Sequence, residues 1–76
     1  MNVYVLMFHN KANYPYENSI ESIHLTQDIA NKALLSWEES QANNSRKNEY
    51  WIEDYTLDLG DLTVQENKDH IIIYTK

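Results

Sequence analysis

Seventy-six residues with no cysteine, one glycine and one proline make a single domain over residues 1–76, near the lower size at which one apolar core holds a fold without staples. The missing thiols exclude disulfides, Cys-ligated zinc, thiol catalysis and thiol redox chemistry, and they agree with a reducing compartment, the cytoplasm by default. Twelve acids against six bases, a net charge of −6, weaken attraction to phosphate backbones and anionic lipid, which argues against direct nucleic-acid binding and against membrane association.

Residues 3–8, VYVLMF, are continuously apolar or aromatic and β-branched at two positions, the pattern of a strand covered on both faces. With no basic flank before it and no small-residue cleavage pattern after it, this run reads as a strand and not as a signal peptide. No run approaches the roughly 20 apolar residues of a membrane-spanning helix. Residues 10–18, NKANYPYEN, read as a loop, because Pro15 disfavours helix and central strand and the Asn and Glu residues supply turn chemistry. In SIESIHLT, Ile20, Ile23 and Leu25 predict a second strand whose alternation breaks between Ile20 and Glu21, where either a bulge or a late strand start fits.

Thr26 has the side chain of a helix N-cap, and Asp28 falls where the helix dipole favours negative charge. Ile29, Ala30, Ala33, Leu34 and Trp37 recur at spacings of three and four and form one apolar stripe. The helix should fade within residues 42–47, ANNSRK, where Asn and Ser compete for backbone hydrogen bonds. Residues 50–59 predict a third strand with Trp51, Glu53, Tyr55, Leu57 and Leu59 on one face, expected to be buried, and Tyr50, Ile52, Asp54, Thr56 and Asp58 on the other. Trp37 and Trp51 are expected to meet in the core. Gly60 and Asp61 form a turn into a short strand at 62–65, Asn67, Lys68 and Asp69 form another, and HIIIYT at 70–75 is a last strand, apolar on both faces. The expected fold is α+β: a single helix packed on one face of a mostly antiparallel sheet of four to five strands, in the order β-β-α-β-β(-β).

Residues 48–62, NEYWIEDYTLDLGDL, hold five acids and three aromatics with no Lys or Arg, leaving the rest of the chain nearly neutral. Strand parity separates Glu49 and Glu53 from Asp54 and Asp58. Residues two apart on a strand face are spaced by roughly 6.5–7 Å, close to the spacing of successive phosphates, so Asp54 and Asp58 could imitate a nucleic-acid backbone. A solvated strand face guarded by charge would read the same way. Tyr50, Ile52 and Tyr74 stand as apolar points on this acidic field, the mixture found at protein interfaces. Glu49, Tyr50, Asp54 and Asp58 are therefore the candidate partner-binding residues.

Metal and catalytic readings find little support. Placing Gly60 at the sixth position of a calcium loop puts Tyr55, Leu57 and Leu59 where oxygen ligands belong. His9, His24 and His70 lack zinc spacing and are expected partly exposed near turns. No serine sits in a strand-turn-helix context with flanking glycines, and one glycine cannot build a phosphate-cradling loop. No catalytic residue, metal ligand or cofactor is assigned.

VYVLMFHN at the start, IANKAL in the helix and YWIEDYTLD thereafter resemble a group of small uncharacterised bacterial and phage domains, over residues 2–58. The resemblance implies an accessory protein of a bacterium or mobile element and carries over no site residue. The acidic, Cys-free build is also similar to that of phage inhibitors of host defence, anti-CRISPR proteins among them. The expected function is thus a small acidic non-enzymatic protein that presents a sheet face, or the adjoining loop at residues 10–18, to a macromolecular partner; in the narrower reading it inhibits a host-defence or nucleic-acid-binding complex, a protein partner met through a basic nucleic-acid-binding surface. The alternative is a self-associating accessory domain, a homodimer through HIIIYT. A small enzyme or ligand-binding domain comes third and would need a pocket holding His9 or His24 beside a carboxylate.

Overall fold

The computed structural model describes residues 1–10, 17–42 and 48–75. Its elements follow the order β1 (Asn2–Asn10), β2 (Glu17–His24), α1 (Gln27–Ser40), β3 (Glu49–Thr56), β4 (Leu62–Asn67) and β5 (His70–Thr75). The α+β class and the single helix stand as expected, but the one sheet of four to five strands does not. The described residues form two antiparallel sheets, β2-β1-β3 and a separate β4-β5 hairpin.

The division follows from β1. Its residues are apolar on both faces, so a single helix on a single sheet would leave one face wet. The hairpin instead folds over that face. Val3 and Val5 are buried with Ile71, and Met7, Ile23, Leu25, Leu57, Val64 and Ile73 pack around them. On the opposite face Leu6 is fully buried, as is Ala30 of the helix. The molecule is therefore three layers: helix, three-stranded sheet, hairpin.

Local chemistry sets the element boundaries. The Thr26 hydroxyl accepts from the Ile29 amide at 3.3 Å, with Asp28 in the first turn. At the other end Gln41, itself buried, donates from Nε2 to the Asn48 carbonyl at 3.3 Å and accepts from the Asn48 amide at 2.9 Å. Its side chain thus ties the end of α1 to the start of β3. The register of β1 against β2 shifts so that Leu6 opposes Ser22 and Met7 opposes Ile20, which leaves Glu21 as the extra residue of a bulge. The break in alternation there had this cause.

Other boundaries are corrected. β1 runs through Asn10 and β2 starts at Glu17, so both strands intrude on the expected loop at 10–18, whose centre with Pro15 lies outside the described residues. The helix ends at Ser40, just before the stretch where fading was expected, of which 43–47 also lie outside. β3 ends at Thr56 instead of 59, because the chain after Leu57 turns through Gly60, at φ +44°, into β4. β4 runs to Asn67, two residues past its expected end. Lys68 in the β4-β5 turn takes φ 57°, a left-handed conformation for which its side chain is unsuited.

Candidate functional site

Among the described residues β3 is an outer strand of its sheet, paired with β1 along one edge. Directly opposed residues in an antiparallel pair share a face, so the register assigns each β3 side chain. Met7 opposes Trp51, Val5 opposes Glu53 and Val3 opposes Tyr55, which puts these three β3 residues on the hairpin side. Phe8 opposes Tyr50 and Leu6 opposes Ile52, which puts that pair under the helix.

On the helix side Tyr50 and Ile52 are half-buried, and Trp37, expected in the core, is 41% exposed. Tyr50 stacks on Phe8 with ring centroids 5.7 Å apart and on Trp37 at 5.8 Å. Burial, followed by a smaller contribution from Glu21, pushes the Tyr50 hydroxyl up from its ordinary value of 10.0, against a hydrogen bond with the Asn48 side chain. The expected contact between Trp37 and Trp51 is corrected: Trp37 reaches Tyr50, while Trp51 belongs to the other face of β3.

On the hairpin side the residues expected to be buried are only partly so. The hairpin covers Val3 and Val5, whereas Trp51 and Glu53 are half-buried, Tyr55 is 48% exposed, and Ile20, opposite Met7, is 60% exposed. The Tyr55 hydroxyl donates to Glu53 Oε2 and the Trp51 indole donates to Glu53 Oε1 at 3.2 Å. Tyr55 first and Trp51 second hold the Glu53 carboxyl below its ordinary value of 4.5, against a smaller opposing effect of desolvation. The same bond pushes the Tyr55 hydroxyl up from 10.0. At neutral pH the face therefore carries an ionised carboxylate between two aromatic rings.

The backbone adds a second feature. The Leu57 amide donates to the Met1 carbonyl at 2.7 Å and the Met1 amino group donates to the Leu57 carbonyl at 3.1 Å, a mutually bonded pair. Antiparallel pairs alternate, so with this register Tyr55, Glu53, Trp51 and Glu49 turn their backbone groups toward β1. Tyr50, Ile52, Asp54 and Thr56 turn theirs outward, and among the described residues no strand meets that edge.

The four candidate residues are thereby separated. Glu49 is exposed at the start of β3, opposite His9. Asp54 is exposed on the helix side, while the rings of Phe8 and Trp37 occupy Tyr50. Asp58 is exposed beyond the end of β3, so Asp54 and Asp58 do not form one strand ladder. Glu53, Trp51 and Tyr55 form the more organised group. The signal for them was the spacing of two on one strand face; the assumption that this face would be covered hid it.

His24 departs most from expectation. It is 2% exposed, its Nε2 lies 2.6 Å from Ser22 Oγ, and its Nδ1 meets the Asp69 carbonyl. A proton on Nδ1 satisfies that carbonyl and leaves Nε2 to accept from Ser22. The imidazole thus ties β2 to the β4-β5 turn. Asp69 also lines a pocket of about 180 Å³ together with Leu25, Ile29, Lys68, His70 and Ile71. Among the described residues no three His, Asp or Glu side chains gather as a metal site would require, and no helix is long and apolar enough to cross a membrane. No protein-family model, curated protein or solved structure matches the chain.

Proposed function

We propose that this chain is a non-enzymatic binding protein that contacts a macromolecular partner along β3. The observation that carries this is the Trp51, Glu53 and Tyr55 group: an ionised carboxylate held by two aromatic donors on a partly open sheet face. Residues 48–67 contain no Lys or Arg to neutralise it. An acidic surface with aromatic anchors suits a protein partner of positive charge. The narrower reading is a cytoplasmic accessory protein of a bacterium or mobile element, whose partner is a basic nucleic-acid-binding surface that it inhibits by occupying it. Capture of partners from bacterial lysate tests the broad reading when wild type is run beside Glu53→Lys and Asp58→Lys. A partner lost with Glu53→Lys and kept with Asp58→Lys is the expected result; a partner kept by both variants removes the Trp51, Glu53 and Tyr55 face of β3 from consideration.

A second reading rests on the hairpin. Ile72 and Tyr74 face away from the core and are 44% and 45% exposed, an apolar stripe through which two copies could pack. Light scattering distinguishes it: a monomer at high concentration eliminates self-association, and a dimer abolished by Ile72→Lys establishes it.

A further inference from the structure

The outward edge and the charge of β3 together specify more than a contact surface. Tyr50, Ile52, Asp54 and Thr56 direct backbone donors and acceptors away from β1, and a row of such groups is a template for another strand. Glu49, Glu53 and Asp54 make that template acidic. A second copy of β3 would add three more acids to the same short ladder with no base among them, and the accumulated like charge disfavours that pair. A basic strand meets no such penalty.

We infer that β3 receives a basic, extended segment of its partner as an added strand, an inference that rests on reading the chain as a binding protein. Side chains of the added strand alternate between the two faces. Those on one face meet Glu49, Trp51, Glu53 and Tyr55, where a cationic side chain pairs with Glu53 and lies against an aromatic ring. Those on the other meet Ile52 and Asp54. Backbone hydrogen bonds supply sequence-independent affinity, and the acids select for Lys or Arg.

The test titrates the isotopically labelled full chain with a peptide of alternating Lys and Val, about eight residues to match the 8 of β3. Its Glu-Val counterpart and a Lys-Val peptide N-methylated at alternate amides serve as comparisons. The Lys-Val peptide should bind and slow hydrogen exchange at Tyr50, Ile52, Asp54 and Thr56. N-methylation of its edge should weaken binding by roughly tenfold, the effect of losing one or two net hydrogen bonds. Asp54→Pro, which removes an outward N–H without removing a bond to β1, should weaken it similarly; the methylated peptide carries the test even if that variant fails to fold. Equal binding of the Glu-Val peptide, or no binding of the Lys-Val peptide, overturns the inference. Binding that leaves the four amides unprotected overturns strand addition alone, and the chain remains a binding protein.

Discussion

β1 and β3 are neighbours in one sheet, and both are rich in aromatic and aliphatic residues, yet their circumstances differ in every respect that matters for function. β1 is paired on both edges and covered on both faces, with Val3, Val5 and Leu6 nearly inaccessible. Among the described residues β3 is paired on one edge, and none of its side chains is fully buried on either face. The same kind of sequence therefore supplies a core in one place and a partly exposed strand in the other. Neighbours decide which.

The sharpest way to break this comparison is to truncate each strand at its best-packed residue. Leu6→Ala should cost about 3 kcal/mol, within the range for a buried leucine, and at this chain length each kcal/mol lowers Tm by roughly 4–8 °C. Tyr50→Ala should cost about 2 kcal/mol through loss of the rings it stacks on, whereas Tyr55→Ala, five residues along the same strand, should cost less than about 0.5 kcal/mol. Thermal denaturation of the three variants checks the order. Equal losses for Tyr50→Ala and Tyr55→Ala would mean that the two faces of β3 are not packed differently.

Smaller effects test the joints between the layers. Gln41→Ala should cost about 1 kcal/mol, because the Asn48 amide and carbonyl lose their partner. Lys68→Gly should stabilise by a similar amount, about 1 kcal/mol, by relieving the left-handed backbone. Urea unfolding of both variants should therefore move the midpoint in opposite directions.

The smallest effect is electrostatic. Because the folded carboxyl of Glu53 titrates below its ordinary value, its contribution is fully present above that value and is lost as pH falls through the lower, folded one. Glu53→Gln should therefore differ in stability from wild type at neutral pH by an amount that changes as the solution is acidified through the carboxylate range. A difference constant across that range would show that Tyr55 and Trp51 do not hold the carboxylate.

What the sequence made legible was local. Thr26 and Asp28 announced the helix start by their own chemistry, and Glu21 announced the bulge by breaking a period of two. The break of the sheet into two was hidden, because whether β4 and β5 extend a sheet or fold over it depends on a competition for the faces of β1. The same competition misassigned β3: both of its alternating sets carry aromatics, so parity alone could not say which set lay under the helix, and Trp37 was matched with Trp51 when Tyr50 takes that place. His24 was illegible for a related reason. Its partner is the carbonyl of Asp69, 45 residues away in sequence, and backbone carbonyls leave no trace in side-chain patterns.

Among the described residues the outward edge of β3 meets no other strand, and the proposed function needs that edge open. Residue-resolved amide hydrogen exchange on the free protein tests it most directly, since protection follows hydrogen bonding and burial. Slow exchange is expected at Trp51, Glu53 and Tyr55, bonded to β1, and fast exchange at Tyr50, Ile52, Asp54 and Thr56, with the comparably paired residues of β1 slow throughout. Uniform slow exchange along β3 would contradict it, because the edge would then already be occupied within the chain itself.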